Sequence, residues 1–240
     1  MIDWAAAALA CRRANAAYLI DPAQSKAAFQ ALGDVWSDIY SDSNNQAVLS
    51  VDPAGRTHLS ISGTRASSLK LADIFDDVSL DPHPVNGGCV TDGVISGMQD
   101  VWNWALSVAP AGAVFNVCGH SLGASRTHLT PLFIPAAQIG GLWSFEAPKF
   151  ANAKYYATYA AELAGMVCVL NGRDTWAAWP WANPVWDGRP RQDHVWLKSQ
   201  GFAMIPASQW PGLGSFADHS IDLVQARVEA IAAASVKPAA

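Results

Sequence analysis

Apolar residues along the chain fall into two periods. Residues 3–20 and 25–41 follow helical spacing, so the spacing predicts a first helix and then a second helix or helical-turn region. The period then becomes two. QAVLSVD (46–52) and THLSISG (57–63) flank DPAG, a turn tetrad with Pro second and Gly fourth, which predicts a hairpin. SLKLADIFDDVSL (68–80) carries apolar residues at 69, 71, 74, 75 and 78 and suits a short helix. Residues 91–108 fit a longer helix that ends before Pro110.

The second half of the chain alternates. AVFNVC (113–118), GLWSFEA (141–147) and MVCVLNG (166–172) are short apolar runs of the kind buried on both faces of a parallel sheet. HVWLKS (194–199) is a further strand. SLGASRTHLT (121–130), stopped near Pro131, the region 151–164, and IDLVQARVEAIAAA (221–234) read as helices. This order predicts an α/β fold, a mostly parallel sheet covered by helices, with the 240 residues forming one domain.

Composition narrows the classes. The net charge is −5 and no basic tract occurs, so nucleic acid is not an expected partner. No apolar stretch is long enough to span a bilayer. MIDWAAAALACRR lacks a positive n-region, and its arginines follow the apolar run, the wrong order for a signal peptide. The expectation is a protein that acts inside the cell or leaves by a non-classical route. The four cysteines form no C-x-x-C pair, so zinc is not expected. Cys118 and Cys168 read as buried thiols, and the even count admits a disulfide such as Cys11–Cys89.

The candidate chemistry centres on FNVCGHSLGASRTHL (115–129). A Gly-x-Ser-x-Gly match alone is weak. Here a buried strand precedes Ser121 and a helix follows, and Gly119 and Gly123 give the room that a strained strand-to-helix turn needs. The helix N-terminus places backbone N–H groups, Leu122 among them, where an oxyanion would form. A serine hydroxyl needs a base. His219, in the loop GSFADHS before the last helix, is preferred to His194, which sits inside a strand-like run. Asp174 follows the strand MVCVLNG at its end and is preferred as the acid to Asp187 in WDGRP. Thr64, after Gly63 at the end of an apolar strand, is the candidate second oxyanion donor.

The ordered set ISGTRAS, SLKLADIFDD, GHSLGA, SFEAPKFAN, NGRDTWAAWP and ADHSIDL resembles the class 3, fungal-type triacylglycerol lipases of the α/β-hydrolase superfamily, from about residue 45 to 225. The resemblance implies an α/β-hydrolase fold with Ser121 as nucleophile, Asp174 as acid, His219 as base, and Thr64 and Leu122 as the oxyanion hole. It also implies a lid over 66–80. The chain departs from the family pattern in three places. Ser62 stands where Arg is usual, Pro131 shortens the helix after the nucleophile, and Glu146 stands where Gly follows Phe. Glu146 is read as a paired structural carboxylate near the end of the sheet in preference to a direct role.

The expected activity is carboxylester hydrolysis, with lipid esters as substrate and transient contact with a lipid interface. The rival readings are an esterase for soluble or aromatic-acid esters, a phospholipase or acyltransferase with the same triad, and a silent α/β-hydrolase acting as a binding module. A metal hydrolase using His83, His194 or His219 lacks ligand spacing, so no metal or cofactor is expected. Six of eleven tryptophans lie between 176 and 210, which makes 175–216 a Trp-rich substrate loop. Trp176 and Trp179, with Leu69, Ile74 and Phe75 of the lid, are the candidate walls of the acyl site.

Overall fold

A computed structural model describes residues 1–64, 79–181, 183–212 and 214–236. Helix α1 (Trp4–Ala16) starts at Asp3, whose carboxylate accepts the Ala6 N–H at 3.0 Å. Helix α2 (Pro22–Ala31) starts at Asp21, which accepts the Gln24 N–H at 2.8 Å, with Pro22 at its first position. The helical reading of 25–41 is correct only for its first half. Gly33 takes φ 94° after the helix end, and Trp36–Ser41 is strand β1 at the sheet edge. Tyr40 packs on Trp104 at 5.7 Å, and the Trp104 indole donates to Asp38 at 3.3 Å. A half-polar edge strand of this kind leaves no apolar stripe in the sequence.

The hairpin stands as read. Strands β2 (Gln46–Val51) and β3 (Thr57–Ile61) pair antiparallel, and Gly55 N–H donates to the Asp52 carbonyl at 2.9 Å. A second hairpin, β4 (Pro82–Val85) and β5 (Gly88–Thr91), stands apart from the main sheet. The helix expected over 91–108 is two helices, α3 (Asp92–Ile95) and α4 (Met98–Val108). Gly97 breaks it at φ 72°, and a side chain there would overlap Asn45.

The remaining elements are β6 (Phe115–His120), α5 (Leu122–Thr127), β7 (Ile139–Phe145), α6 (Ala153–Thr158), β8 (Val167–Asn171), β9 (His194–Leu197), β10 (Phe202–Ile205) and α7 (Ile221–Val236); the helix expected over 151–164 is confined to α6, and β10 has no counterpart in the sequence pattern. The main sheet has eight strands in the order β1-β2-β3-β6-β7-β8-β9-β10. Strands β3, β6, β7, β8 and β9 run parallel, and the pairs at both edges are antiparallel.

Side chains alternate through the sheet into two cores. Phe115 and Val117 of β6, Leu142 of β7 and Cys168 of β8 face one layer, with Trp102, Leu129 and Tyr155 from the helices. Cys118, Phe145 and Val169 face the other, with Cys11 of α1 and Val224 and Val228 of α7. Burial on both faces is why these strands read as nearly continuous apolar runs. All four cysteines are free thiols, so the Cys11–Cys89 pairing does not form. Burial pushes the Cys118 thiol up to about 11 and Cys168 up to about 12, which keeps both unreactive.

Candidate active site

The parallel strands end on one edge of the sheet, and the segments leaving β3, β6, β7 and β8 meet there. Ser121 occupies the single residue between β6 and α5, at φ 58° and ψ −127°, a conformation that L residues rarely adopt. Its N–H donates to the Phe145 carbonyl at 3.0 Å. The glycines around it are sterically required. A side chain at Gly119 would overlap the Gly123 carbonyl, and one at Gly123 would overlap the Ile61 carbonyl. A Cβ on Gly63 would lie 3.1 Å from that of Ser121 and would overlap the Tyr18 hydroxyl.

His219 ends a single 3-10 turn immediately before α7. The Ser121 hydroxyl lies 2.8 Å from His219 Nε2, and Nδ1 lies 2.7 Å from Asp174 Oδ2. Asp174 also accepts the N–H groups of Trp176 at 2.8 Å and Ala177 at 3.2 Å. Its acceptor-only carboxylate therefore selects the tautomer with the proton on Nδ1, leaving Nε2 to accept from Ser121. All three residues are buried. The loops carrying Asp174 and His219 are strapped together, with Ser215 N–H donating to the Arg173 carbonyl at 3.0 Å and Thr175 N–H to the Ser215 carbonyl at 3.2 Å.

The competing residues lie elsewhere. His194 opens β9 and bonds the Pro190 carbonyl at 3.4 Å, and burial holds its ring down to about 4. Asp187 is exposed on its loop. Thr64 follows Gly63 beside Ser121, and its hydroxyl is buried with no hydrogen-bond partner. Leu122 opens α5, where backbone N–H groups have no partner within the helix. Trp176 is buried on a 3-10 turn, 4.9 Å from Phe216 and 5.7 Å from Trp181, while Trp179 is half-buried and its carbonyl accepts the Lys149 N–H. Trp181 and Phe216 are the exposed members of this group. Leu69, Ile74, Phe75 and all of the expected lid up to residue 78 lie outside the described residues.

Two residues that the motif reading left without a role join the site. His120 Nε2 donates to the His219 carbonyl at 2.9 Å, and its Nδ1 accepts the Tyr18 hydroxyl at 2.8 Å. Burial, then the neighbouring His219, holds the His120 ring well below its ordinary range, so it is neutral. Tyr18 also bonds the Gly63 backbone, tying the Thr64 segment to the same unit.

Glu146 is fully buried at φ 60°, its Oε2 3.7 Å from His219 Nδ1. His120, Glu146 and His219 are the one grouping of metal-ligating types among the described residues, with donor atoms within 4.8 Å of one another. Every ring nitrogen in the group is already committed to Tyr18, Asp174, Ser121 or the His219 carbonyl, so the grouping offers a metal no free imidazole.

No family model matches the chain, and no curated protein matches its sequence. Solved structures do match. A fungal lipase superposes with a TM-score of 0.70 at 17% identity, over 93% of this chain and 96% of its own. Lipase II from Rhizopus niveus gives 0.67 at 15% identity, over 90% and 92%. A triacylglycerol lipase from Penicillium expansum gives 0.60 at 13% identity, over 95% and 99%. The chain has the α/β-hydrolase fold that these fungal-type lipases share.

Proposed function

We propose that the protein is a serine carboxylester hydrolase acting on lipid esters. The observation that carries this reading is the unbroken chain Ser121–His219–Asp174, at 2.8 and 2.7 Å, at the tip of a strained strand-to-helix turn. Ser121 Oγ attacks the ester carbonyl as its proton passes to His219 Nε2. Asp174 holds the resulting imidazolium. The tetrahedral oxyanion takes hydrogen bonds from the Leu122 N–H and from Thr64, donors of a kind each worth on the order of a hundred- to a thousandfold in rate. The intermediate collapses to an acyl-enzyme, and the alcohol leaves with the proton from His219. Water then attacks the acyl group with His219 as base, releasing the acid and restoring Ser121.

The preference for apolar acyl groups rests on the rim. Phe216 is 55% and Trp181 47% exposed, both packed on Trp176, which stands two residues after Asp174. Exposed aromatics beside a reacting centre favour an apolar substrate and contact with a lipid surface. No helix among the described residues is long and apolar enough to cross a membrane.

The test is hydrolysis of p-nitrophenyl esters from C2 to C16 by wild type and Ser121→Ala. Serine-dependent rates that rise with chain length support the lipid-ester reading. Rates confined to C2–C4 replace it with a soluble-ester esterase. Absence of serine-dependent hydrolysis across the series removes the enzyme reading.

A further inference from the structure

The end of β7 presents a carboxyl group that the mechanism above does not use. Glu146 follows Phe145, where the backbone adopts φ 60°, a conformation suited to glycine. An acidic side chain is therefore held there against a backbone preference, and it is buried completely. Holding a carboxyl group in this way carries two penalties, backbone strain and desolvation.

The contacts of Glu146 define its state. Oε1 accepts the Asn171 N–H at 2.5 Å. Oε2 meets no donor and lies 3.7 Å from His219 Nδ1, and the Glu146 carboxyl adjoins that of Asp174. Asp174 accepts two backbone N–H groups and the imidazole, whereas Glu146 accepts one. Two adjoining buried carboxyls do not both ionise. Glu146, with one donor against three on Asp174, carries the proton on the oxygen that meets no donor. Burial first, and the Asp174 charge second, push the Glu146 carboxyl well above the usual carboxylate range.

We infer that Glu146 is a positioning residue for the hydrolytic reaction, sharing one proton with Asp174 and standing as a second carboxylate for His219. The inference rests on the Ser121–His219–Asp174 reading. In the resting protein the Glu146 Oε2–H donates to Asp174 and helps to hold its carboxylate against the imidazole. When Asp174 is removed, its charge no longer opposes ionisation of Glu146. The Glu146 proton then passes to solvent, and Oε2 accepts the His219 Nδ1–H across the gap that Asp174 leaves.

A double-substitution cycle on a p-nitrophenyl ester tests this. With Glu146 acting, Asp174→Ala keeps activity within about a hundredfold of wild type, against the loss of about ten-thousandfold typical when such a triad has no acid. Glu146→Gln in the Asp174→Ala background takes away the remainder, a loss much larger than the same change causes alone. Equal losses in the two backgrounds overturn the inference, because a purely structural Glu146 acts additively.

Should Asp174→Ala not fold, Glu146→Gly and Glu146→Gln keep the question open to test. The groups facing this site are Asp174, His120, Asp218 and Cys11, with Arg227 held on Asn171 and Asp218. Glu146→Gly suits the backbone and removes the donor to Asp174, which concentrates charge on the imidazole side. The acid limb of kcat/KM then moves up by several tenths of a pH unit, while Glu146→Gln, which retains a donor, leaves the limb in place. Identical limbs in the two variants overturn the inference. Ser121→Ala separates the two levels: hydrolysis that survives it refutes the triad, whereas serine-dependent hydrolysis with additive losses refutes Glu146 alone.

Discussion

His120 Nε2 donates to the backbone carbonyl of His219 at 2.9 Å, so the residue before the candidate nucleophile holds the candidate base. The bond is possible because Tyr18, 102 positions away, donates to the other nitrogen of the His120 ring and fixes its tautomer. Position 120 thus does more than fill the motif. It ties the end of β6, the loop after α1 and the turn before α7 into one unit.

His120→Phe keeps an aromatic ring but leaves the His219 carbonyl without its donor and takes one of its partners from the Tyr18 hydroxyl, which keeps the Gly63 backbone. The orphaned carbonyl costs about 1–3 kcal/mol. The expected result is a lower Tm together with a kcat reduced roughly tenfold, because His219 is held less firmly. KM stays near the wild-type value, since His120 is buried with both ring nitrogens bonded inside the protein. Steady-state kinetics beside calorimetry checks both parts.

The strain at Ser121 supplies an independent prediction. Its φ of 58° with ψ −127° is suited to glycine alone. Ser121→Gly should therefore stabilise the fold by about 1 kcal/mol while removing esterase activity, and Ser121→Ala should remove activity without that gain. Urea unfolding of the three proteins measures the difference.

Gly123→Ala is expected to be severe. The added methyl would overlap the Ile61 carbonyl, a backbone atom of β3 that cannot rotate away. Separating α5 from β3 disturbs the Ser121 turn and the Thr64 segment together. The loss is expected to be several kcal/mol, in the range of overpacked or strained core sites. A folded variant with unchanged kcat/KM would show that the contact is dispensable.

Acid should unfold the protein through its buried histidines. Burial, with His194 and Arg189 nearby, holds His128 down to about 3; burial, then Arg189, holds His194 down to about 4. Both rings are neutral in the fold but bind protons once unfolded, at an ordinary value of about 6.5. Their contribution is complete above about pH 6.5 and is lost progressively as pH falls toward the folded values. Stability between about pH 6.5 and 4 should then fall with uptake on unfolding of roughly one proton for each ring held neutral, His120 included and His58 in part, and one fewer in His128→Gln. His128 is bonded to Tyr156 at 2.9 Å and Ser144 at 2.7 Å, so the uncharged amide is a reasonable replacement. Denaturant midpoints across the pH series give the proton count.

Much of this arrangement is legible along the chain, for a physical reason. A nucleophile on a strand-to-helix turn requires small neighbours, so Gly119 and Gly123 mark Ser121. A candidate acid at a strand end falls just past an apolar run, as Asp174 does after β8, and a candidate base falls in the loop before the last helix, as His219 does. What escaped the reading has no local signature. Strand β1 mixes Trp36, Asp38 and Tyr40 at an edge, and β10 is four residues paired only to β9. The break at Gly97 depends on Asn45, which is distant in sequence. The roles of His120 and Glu146 arise where separate loops converge, and residue spacing says nothing of a tautomer or of a proton shared between β7 and the loop after β8.

The measurement that bears most directly on the central claim is reaction with a fluorophosphonate ester, followed by mass spectrometry of the peptides. The account predicts one phosphonyl group per chain, attached to Ser121, absent in Ser121→Ala and formed at least a hundredfold more slowly in His219→Ala. Labelling at another residue, or none in folded wild-type protein, would contradict it.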